Sequence, residues 1–161
     1  MLFEKSQDLR EIMRRWVSGV AIVTAMQEDI KHGMTVNSFT SISLDPAFIC
    51  VTLAHPTRTH QLVISSGLFG VSILSASQIE IANRFAGNGP QPEDRFEGVA
   101  LITFSTGIPL LADGIAWLEC EVKQQFEMPN STLFIGEVLF STQADRIEPL
   151  VYFNRDYRRL A

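Results

Sequence analysis

The sequence has few cysteines, and none has the paired spacing of a metal site or a redox motif. Of 161 residues only Cys50 and Cys120 are cysteines, each among apolar residues typical of strands, and no Cys-x-x-Cys occurs. Two cysteines placed in this way favour reduced thiols in a core over a disulfide or a set of zinc ligands. We therefore expect neither a structural disulfide nor a cysteine metal centre.

Positive charge and long apolar runs are also scarce. Thirteen Lys and Arg against eighteen Asp and Glu give a formal net charge of -5, the wrong sign for a domain that binds mainly the phosphates of nucleic acid. No apolar run approaches the ~18 residues of a membrane span, and the charged N-terminal segment lacks the apolar stretch of a signal peptide. We expect a cytoplasmic protein that binds neither nucleic acid nor membrane.

The common catalytic signatures are missing as well. The chain has no Gly-x-Ser-x-Gly, Walker A or His-Glu-x-x-His, and no Gly-x-Gly-x-x-Gly on a strand-to-helix turn. The three histidines, His32, His55 and His60, have no nearby cysteines or paired carboxylates, so we expect polar loop residues and no metal. If the chain is an enzyme, a bound cofactor supplies its reactivity.

What the sequence does contain is enough apolar material for a core. Its length and its 46% apolar composition match a single domain over residues 1–161, at roughly 100 to 200 residues per domain. A small domain cannot easily bury that much apolar surface in its own core. The apolar surface left exposed predicts an oligomer interface or a ligand site.

Short strands separated by turns dominate the predicted structure. Helical periodicity appears over residues 6–17, over 61–66, and from the capping-box spacing of Ser77 and Glu80 to a stop at Gly87. Predicted strands cover residues 20–24, 47–53, 69–74, 100–104, 107–111, 116–126 and 132–140, with a last segment from 149 to 153. This order favours an antiparallel closed or half-closed β-barrel over a doubly wound sheet.

Two polar stretches offer groups for binding. Residues 35–43 carry five small hydroxyls and an amide, which suit either a flat polar heterocycle near the backbone or an ordinary solvent-facing strand. Residues 55–59 put hydroxyls, an arginine and free N–H groups at a helix N-terminus, which suits either a phosphate or a plain Thr cap. From the residues alone, both pairs of alternatives stay open.

A series of motifs in order strongly resembles one known family over nearly the whole chain. The motifs are residues 19–24, 32–46, 69–74, 82–86, 94–96, 118–120 and 134–138. They resemble the short-chain flavin reductases, the reductase partners of two-component flavin-dependent monooxygenases such as the 4-hydroxyphenylacetate system. The block over residues 33–46 is the most specific of them.

The resemblance implies a fold and an activity. The fold would be an FMN-binding split β-barrel, a Greek-key antiparallel barrel with a few short helices, assembled as a homodimer. The activity would be that of an NAD(P)H:flavin oxidoreductase, in which nicotinamide passes hydride to FMN or FAD and reduced flavin diffuses to a monooxygenase. Because hydride moves directly from nicotinamide C4 to flavin N5, no catalytic acid or base is expected, and the protein orients the partners and excludes water.

The resemblance also assigns site residues, position by position. Residues 35–38 and Ser41 would line the isoalloxazine, the turn over 51–59 would hold the ribityl chain and phosphate, and Arg84, Phe85 and Arg95 would close the pocket. The full expected flavin-binding set is Met34, Thr35, Val36, Asn37, Ser38, Ser41, Ser43, Val51, Thr52, Leu53, Ala54, Thr57, Arg58, Thr59, Arg84, Phe85 and Arg95.

One departure from the family pattern concerns the nicotinamide. Family members carry Gly-Asp-His before the Thr-x-Phe-Ile-Gly-Glu-Val strand, whereas residues 129–132 read Pro-Asn-Ser-Thr here. Ser131 stands at the position of that histidine, and residues 152–155 resemble the family's other nicotinamide-contacting region or serve only as a helix or barrel lid. The expected nicotinamide contacts are Ser131, Tyr152 and Arg155. The change leaves open a flavin-binding electron-transfer or sensor protein without efficient NAD(P)H use, and a third alternative is oxidation of a pyridoxamine-like substrate. FMN or FAD, and NADH or NADPH, also remain open.

Overall fold

The structure, a computed structural model, describes residues 8–146 and 148–161 of the chain. In this part the chain forms twelve strands and three short helices, which confirms the predicted mainly β fold. The strands are β1 (Ser18–Gly19), β2 (Ala21–Gln27), β3 (Ile30–Val36), β4 (Thr40–Leu44), β5 (Ala47–Ala54), β6 (Leu68–Ile73), β7 (Leu101–Ile102), β8 (Leu110–Leu111), β9 (Ala116–Met128), β10 (Ser131–Gln143), β11 (Val151–Phe153) and β12 (Asp156–Arg158). The helices are α1 (Leu9–Met13), α2 (Arg58–Ser66) and α3 (Ile79–Phe85).

A seven-stranded antiparallel sheet in the order β3-β2-β6-β9-β10-β5-β4 forms the body of the molecule. Its two edge strands, β3 and β4, are consecutive in the chain and joined only by residues 37–39. A flat sheet of this size would separate them by about 29 Å, whereas the link spans at most about 15 Å. The sheet must therefore curl until its edges approach each other, as the predicted barrel requires.

The curled sheet has a hydrophobic core on each face. Inside the barrel lie Val51, Phe69 and Phe134, all fully buried. Outside it, α3 and the segment over residues 96–111 cover a second cluster that includes Ile22 and Phe85. Side chains of a strand alternate between its two faces, so β2 supplies both cores. Each fully buried side chain of this size contributes about 1.5–3 kcal/mol to stability.

The helix boundaries differ from those predicted. The first prediction began at residue 6, and its start lies outside the described residues; α1 itself ends at Met13. Helix α2 begins three residues before its predicted start because the Thr57 hydroxyl accepts a hydrogen bond from the His60 N–H at 3.3 Å. The capping-box prediction for α3 is wrong, since Gln78 is the N-cap residue and the Ser77 hydroxyl contacts Ser75 instead.

The strands differ from the prediction in two places: β3 and β4 were not among the predicted strands, and several bounds differ between residues 100 and 143. Two predicted five-residue strands shrink to the pairs β7 and β8, because a turn with Gly107 at a φ of 77° separates them. By contrast, β9 and β10 each extend to 13 residues and form a long hairpin. None of the helices in the described ranges is long and apolar enough to cross a membrane.

Three histidines join α2 to the barrel. His32 Nδ1 on β3 lies 2.8 Å from the Thr59 hydroxyl, and the Nε2 atoms of His55 and His60 lie 2.7 and 2.8 Å from the Thr132 hydroxyl on β10. Within the described ranges, no group of three or more His, Cys, Asp or Glu side chains could hold a metal ion. These polar contacts attach the helix to two strands. The expectation of loop residues is wrong for His32, which lies on β3, and for His60, which lies on α2.

The close packing inside the barrel leads to a first prediction. A Cβ atom at Gly136 would lie 2.7 Å from Cζ of the fully buried Phe69 and 3.1 Å from Cβ of Cys120. Gly136→Ala should therefore lower the free energy of unfolding by about 1–3 kcal/mol in urea denaturation. Gly19→Ala is the control, because nothing lies within 4 Å of a Cβ there. Equal stability of the two variants would contradict this packing.

The contact between β3 and α2 leads to a second prediction. Burial, reinforced by the positive charges of Arg95 and Arg58 and partly opposed by Asp94, lowers the pKa of His32 from 6.5 to about 4. The unfolded chain then binds the proton first, so stability is full above about pH 6.5 and falls as the pH drops toward 4. His32→Asn, which keeps a polar atom near Thr59, should flatten this slope in urea titrations from pH 8 to 4. Parallel curves for the two proteins would refute the assignment.

Candidate functional site

Two adjoining clefts bring together residues that are far apart in the sequence. The β3 cleft, about 420 Å³, lies between the end of β3, α3 and the β11–β12 hairpin. The α1 cleft, about 850 Å³, lies between α1, the link over residues 37–40 and the same hairpin. Asn37, Tyr152 and Arg155 line both of them. The polar stretch and the C-terminal segment singled out in the sequence therefore meet at one place.

The edge of β3 offers unpaired backbone groups beside the β3 cleft. Arg95 Nη1 donates a hydrogen bond to the Gly33 carbonyl at 3.0 Å, so this carbonyl points away from β2. Because backbone groups two residues apart on a strand point to the same side, the N–H and C=O of Thr35 also point outward. The Thr35 hydroxyl donates to the Ala82 carbonyl on α3 at 2.7 Å. The backbone of Thr35 is thus the group available to a ligand.

Ser38 attaches the link between β3 and β4 to strand β5. Its hydroxyl donates to the Thr52 carbonyl at 2.9 Å and accepts from the Thr52 N–H at 3.1 Å. The pairing of β4 with β5 ends at Thr40 and Cys50, so Thr52 lies just beyond the reach of β4. A single hydroxyl therefore satisfies two backbone groups of β5 and fixes the link between β3 and β4.

The predicted turn over residues 51–59 has two different faces. Val51 and Leu53 are fully buried in the barrel and pair with β10, so neither offers a group to a ligand, whereas Thr52 is half-buried and Ala54 is exposed. The Thr57 hydroxyl caps α2, donates to the Ala54 carbonyl at 2.9 Å and lies 3.6 Å from the sulfur of Met34. Of the two alternatives for residues 55–59, a phosphate site or a plain Thr cap, the hydroxyl of Thr57 fits the cap.

Two further residues complete this part of the surface. Arg58, next to Thr57, is exposed and forms no ion pair with any described residue. Thr59 is fully buried against His32. Of the two, only Arg58 has its functional group free for a ligand at the start of α2.

Arg84, Phe85 and Arg95 hold structure together and line neither cleft. Arg84 Nη1 donates to the Glu97 carbonyl at 2.8 Å, and Arg95 Nη1 donates to the carbonyls of Gly33 and Phe85 at 3.0 and 3.1 Å. Burial lowers the pKa of Arg95. Phe85 is fully buried, with its ring centroid 5.1 Å from that of Phe96. These side chains attach the loop after α3 to β3.

The wall that α3 presents to the β3 cleft was missed from the sequence. It consists of Ile79, Asn83 and Ala86. Their spacing of i, i+4 and i+7 places them on one face of the helix, and that spacing is the signal that could have identified them. The expected residues Thr35, Val36 and Asn37 form the opposite wall.

Other expected site residues lie away from both clefts. Ser41 is exposed and Ser43 half-buried on the edge strand β4, on either side of a bulge. Ser131 begins β10, where it pairs with Ala54, and its neighbour Thr132 faces the histidines from the opposite side of the strand. The structure therefore does not bring Ser131 together with Tyr152 and Arg155.

The β11–β12 hairpin holds Arg155 in an uncommon conformation. Asn154 and Arg155 form its two-residue turn, with φ angles of 53° and 62°. Such turns favour Asn or Gly, and a long side chain in the left-handed region costs about 1–2 kcal/mol. Glu11 of α1 pairs with Arg155 at 3.0 Å, and Arg14 Nε donates to Asn154 Oδ1 at 3.0 Å. Helix α1 and the hairpin therefore form one connected wall.

Comparison with known proteins identifies relatives over most of the chain. The family described as flavin reductase like domain matches residues 13–161. An NADH-dependent flavin reductase of Pseudomonas fluorescens is 37% identical over 155 residues, covering 92% of this chain and 86% of the relative. An NADH-dependent FAD reductase of Streptomyces globisporus is 33% identical, covering 95% of this chain and 85% of the relative.

Solved structures show the same likeness. The NADH:FAD oxidoreductase of Streptomyces globisporus superimposes with a TM-score of 0.89 at 32% identity, over 100% of this chain and 98% of that chain. The flavin reductase of the styrene monooxygenase from Pseudomonas putida gives a TM-score of 0.85 at 34% identity, over 96% and 98%. The resemblance drawn from the sequence motifs is confirmed, and the chain belongs to the flavin reductase like domain family.

Proposed function

We propose that this chain is an NAD(P)H:flavin oxidoreductase that transfers hydride from a reduced nicotinamide to FMN or FAD and supplies reduced flavin to a monooxygenase. The observation that carries the proposal is the β3 cleft, where the free backbone edge at Thr35 faces Tyr152 and Arg155 in a member of the flavin reductase family. The relatives from Pseudomonas fluorescens and Streptomyces globisporus are NADH-dependent, which favours NADH as the donor.

The residues around the clefts fit a flavin. The outward N–H and C=O of Thr35 offer one donor and one acceptor to the polar edge of a flat heterocycle. Asn37 adds an amide at the junction of the clefts, and cleft volumes of several hundred Å³ are usual for ligands of this size. Bound here, a flavin would supply the hydride-accepting ring, while the chain's own residues bind, orient and exclude water.

The phosphate of the flavin would lie at the start of α2. Arg58 is exposed there and unpaired among the described residues, and the first N–H groups of this nine-residue helix favour an anion. The net charge of -5 repels anions in general, so binding depends on such placed groups. No catalytic acid or base is required of the protein.

We also propose that the chain acts as one domain, as a homodimer and in the cytoplasm. Large apolar side chains are exposed on separate parts of the surface, among them Leu44 at 88%, Met128 at 51% and Leu139 at 47%. Together with the exposed apolar side chains of α1, they supply surface for the oligomer interface that the apolar surplus predicts. Ser131 stays a predicted nicotinamide contact, and in a dimer the partner could bring it to a cleft.

The proposed function predicts flavin reduction by a pyridine nucleotide. Mixing the protein, FMN or FAD, and NADH or NADPH without oxygen should bleach the oxidised flavin band near 450 nm (roughly) much faster than in the absence of protein. Stopped-flow absorbance measures this rate for all four pairs. A protein that binds flavin but accelerates no pair would refute the proposal and favour the electron-transfer alternative.

The contact between Ser38 and Thr52 predicts a change in flavin affinity. Ser38→Ala leaves the N–H and C=O of Thr52 without their partner, a loss of about 1 kcal/mol that loosens the link beside both clefts. The flavin dissociation constant, measured by fluorescence quenching, should rise by up to about fivefold, because the flavin must then order the loosened link when it binds. Ser141→Ala on an exposed position of β10 is the matched control and should leave it unchanged. An equal effect of both substitutions would contradict the role of Ser38.

A further inference from the structure

The loop after α3 contains the one Asn-Gly step of the sequence. Of the five asparagines only Asn88 is followed by glycine, whereas the others precede serine or arginine. In such a step the backbone nitrogen of the second residue attacks the amide carbon of the asparagine side chain. Glycine favours this attack because it has no Cβ to hinder the approach and leaves the backbone free to rotate. Asn88 is therefore the asparagine whose side-chain amide the sequence makes easiest to lose.

The structure leaves the nitrogen of Gly89 open to this reaction. Residues 86–91 are all exposed, and Gly89 has a φ of 74° with nothing within 4 Å of a Cβ placed there. Within the described ranges the N–H of Gly89 donates no hydrogen bond. Gln91 Nε2 donates to the carbonyls of Asn88 and Gly89 at 2.9 and 3.2 Å, which leaves the nitrogen itself uncovered.

A second step of the same chemistry is closed by packing. Asp113 precedes Gly114, and an Asp-Gly step forms the same cyclic imide with loss of water. Here the N–H of Gly114 donates to the Leu111 carbonyl at 3.3 Å. A Cβ at Gly114 would lie 2.9 Å from the Ile73 carbonyl oxygen, so the backbone has little room to rotate. The two steps share a sequence signal, and the fold distinguishes them.

Asn88 also belongs to the wall of the β3 cleft. Its Nδ2 donates to Asn83 Oδ1 at 3.3 Å, and both residues line the cleft. Among the described residues that line it, the charged ones are Arg155 and Asp156, one of each sign. A carboxylate in place of the Asn88 amide would give this wall an excess of negative charge and would remove the donor to Asn83.

We infer that Asn88 is a site of spontaneous deamidation, which places a negative charge on the wall of the β3 cleft. The Gly89 nitrogen forms a bond to Cγ of Asn88, and the bond from Cγ to the amide nitrogen breaks as ammonia leaves. Water then opens the cyclic imide to aspartate or isoaspartate, so the net reaction consumes one water and releases one ammonia. The effect on binding rests on the proposed function, because flavin phosphates and reduced nicotinamide dinucleotides are anions that the new charge repels.

Incubation of the full chain at mildly alkaline pH tests the modification. Peptide mapping by mass spectrometry follows aspartate and isoaspartate at Asn88, and isoaspartate at Asp113, in buffer and in urea. Exposed loops open at almost no free-energy cost, so Asn88 should react in buffer within about threefold of its rate in urea. The Asp113 step should react at least about tenfold more slowly in buffer than in urea, because its backbone is held. Retention of the Asn88 amide in buffer, with loss in urea, would overturn the inference.

Two variants measure the effect of the charge without waiting for the reaction. Asn88→Asp supplies the charge of the product, and Gln143→Glu adds the same charge at an exposed position of β10 that lines neither cleft. The FMN dissociation constant, measured by fluorescence quenching, should rise about threefold in Asn88→Asp at low salt and less at high salt. Gln143→Glu should leave it unchanged. Equal constants for the two variants would contradict an effect of this charge on the cleft.

The two measurements keep the inference apart from the proposed function. Asn88→Gln retains an amide but forms the larger cyclic imide slowly, so the ammonia released by the folded wild-type protein should largely disappear in this variant. Ammonia release that persists unchanged would assign the reaction to another residue and overturn the inference. A wild-type protein that deamidates at Asn88 but reduces no flavin would refute the proposed function and leave the modification site supported.

Discussion

The structure depends on one constraint, the three-residue link between the opposite edges of a seven-stranded sheet. Because residues 37–39 are too short to cross a flat sheet, the strands must curl, and the curl creates an interior that Phe69 and Phe134 fill. The same constraint leaves a seam where strand pairing stops. Ser38 crosses that seam to Thr52, and the free backbone of Thr35 lies beside it. The candidate site is therefore a consequence of how the barrel closes.

The arginines show how an acidic chain divides its few positive charges between structure and binding. Arg84 and Arg95 donate to backbone carbonyls and tie the loop after α3 to the barrel, which takes them out of the clefts. Arg10, Arg58 and Arg155 keep their charges at or near openings. Because the net charge is negative, the long-range field does not attract an anionic ligand. Recognition of phosphate must then come from short-range contacts with these few groups.

Sequence analysis identified one wall of the candidate site better than the other. Thr35 and Asn37 stand in a stretch whose hydroxyls and amide already indicated a binding surface, and the structure places them in the clefts. Phe85 belongs to an equally clear motif but fills the outer core, because a motif does not say which way its side chains face. Asn83, its near neighbour on α3, faces the cleft instead. Helical spacing predicts that Phe85 and Asn83 lie on different faces of α3, but it does not predict which of the two faces borders the cleft.

By itself, the sequence determined the strand-rich composition, the antiparallel barrel class, the family and the short segment around Thr35 that carries binding groups. Those properties are local or repeat along the chain, so periodicity, turn residues and motifs reveal them. Only the tertiary structure decided that Tyr152 and Arg155 meet Asn37 and that α1 forms a cleft wall. It also decided that Ser131 lies away from both clefts. The first two relations join residues more than a hundred positions apart, and the closure of the barrel and the pairing of β1 with β11 set them.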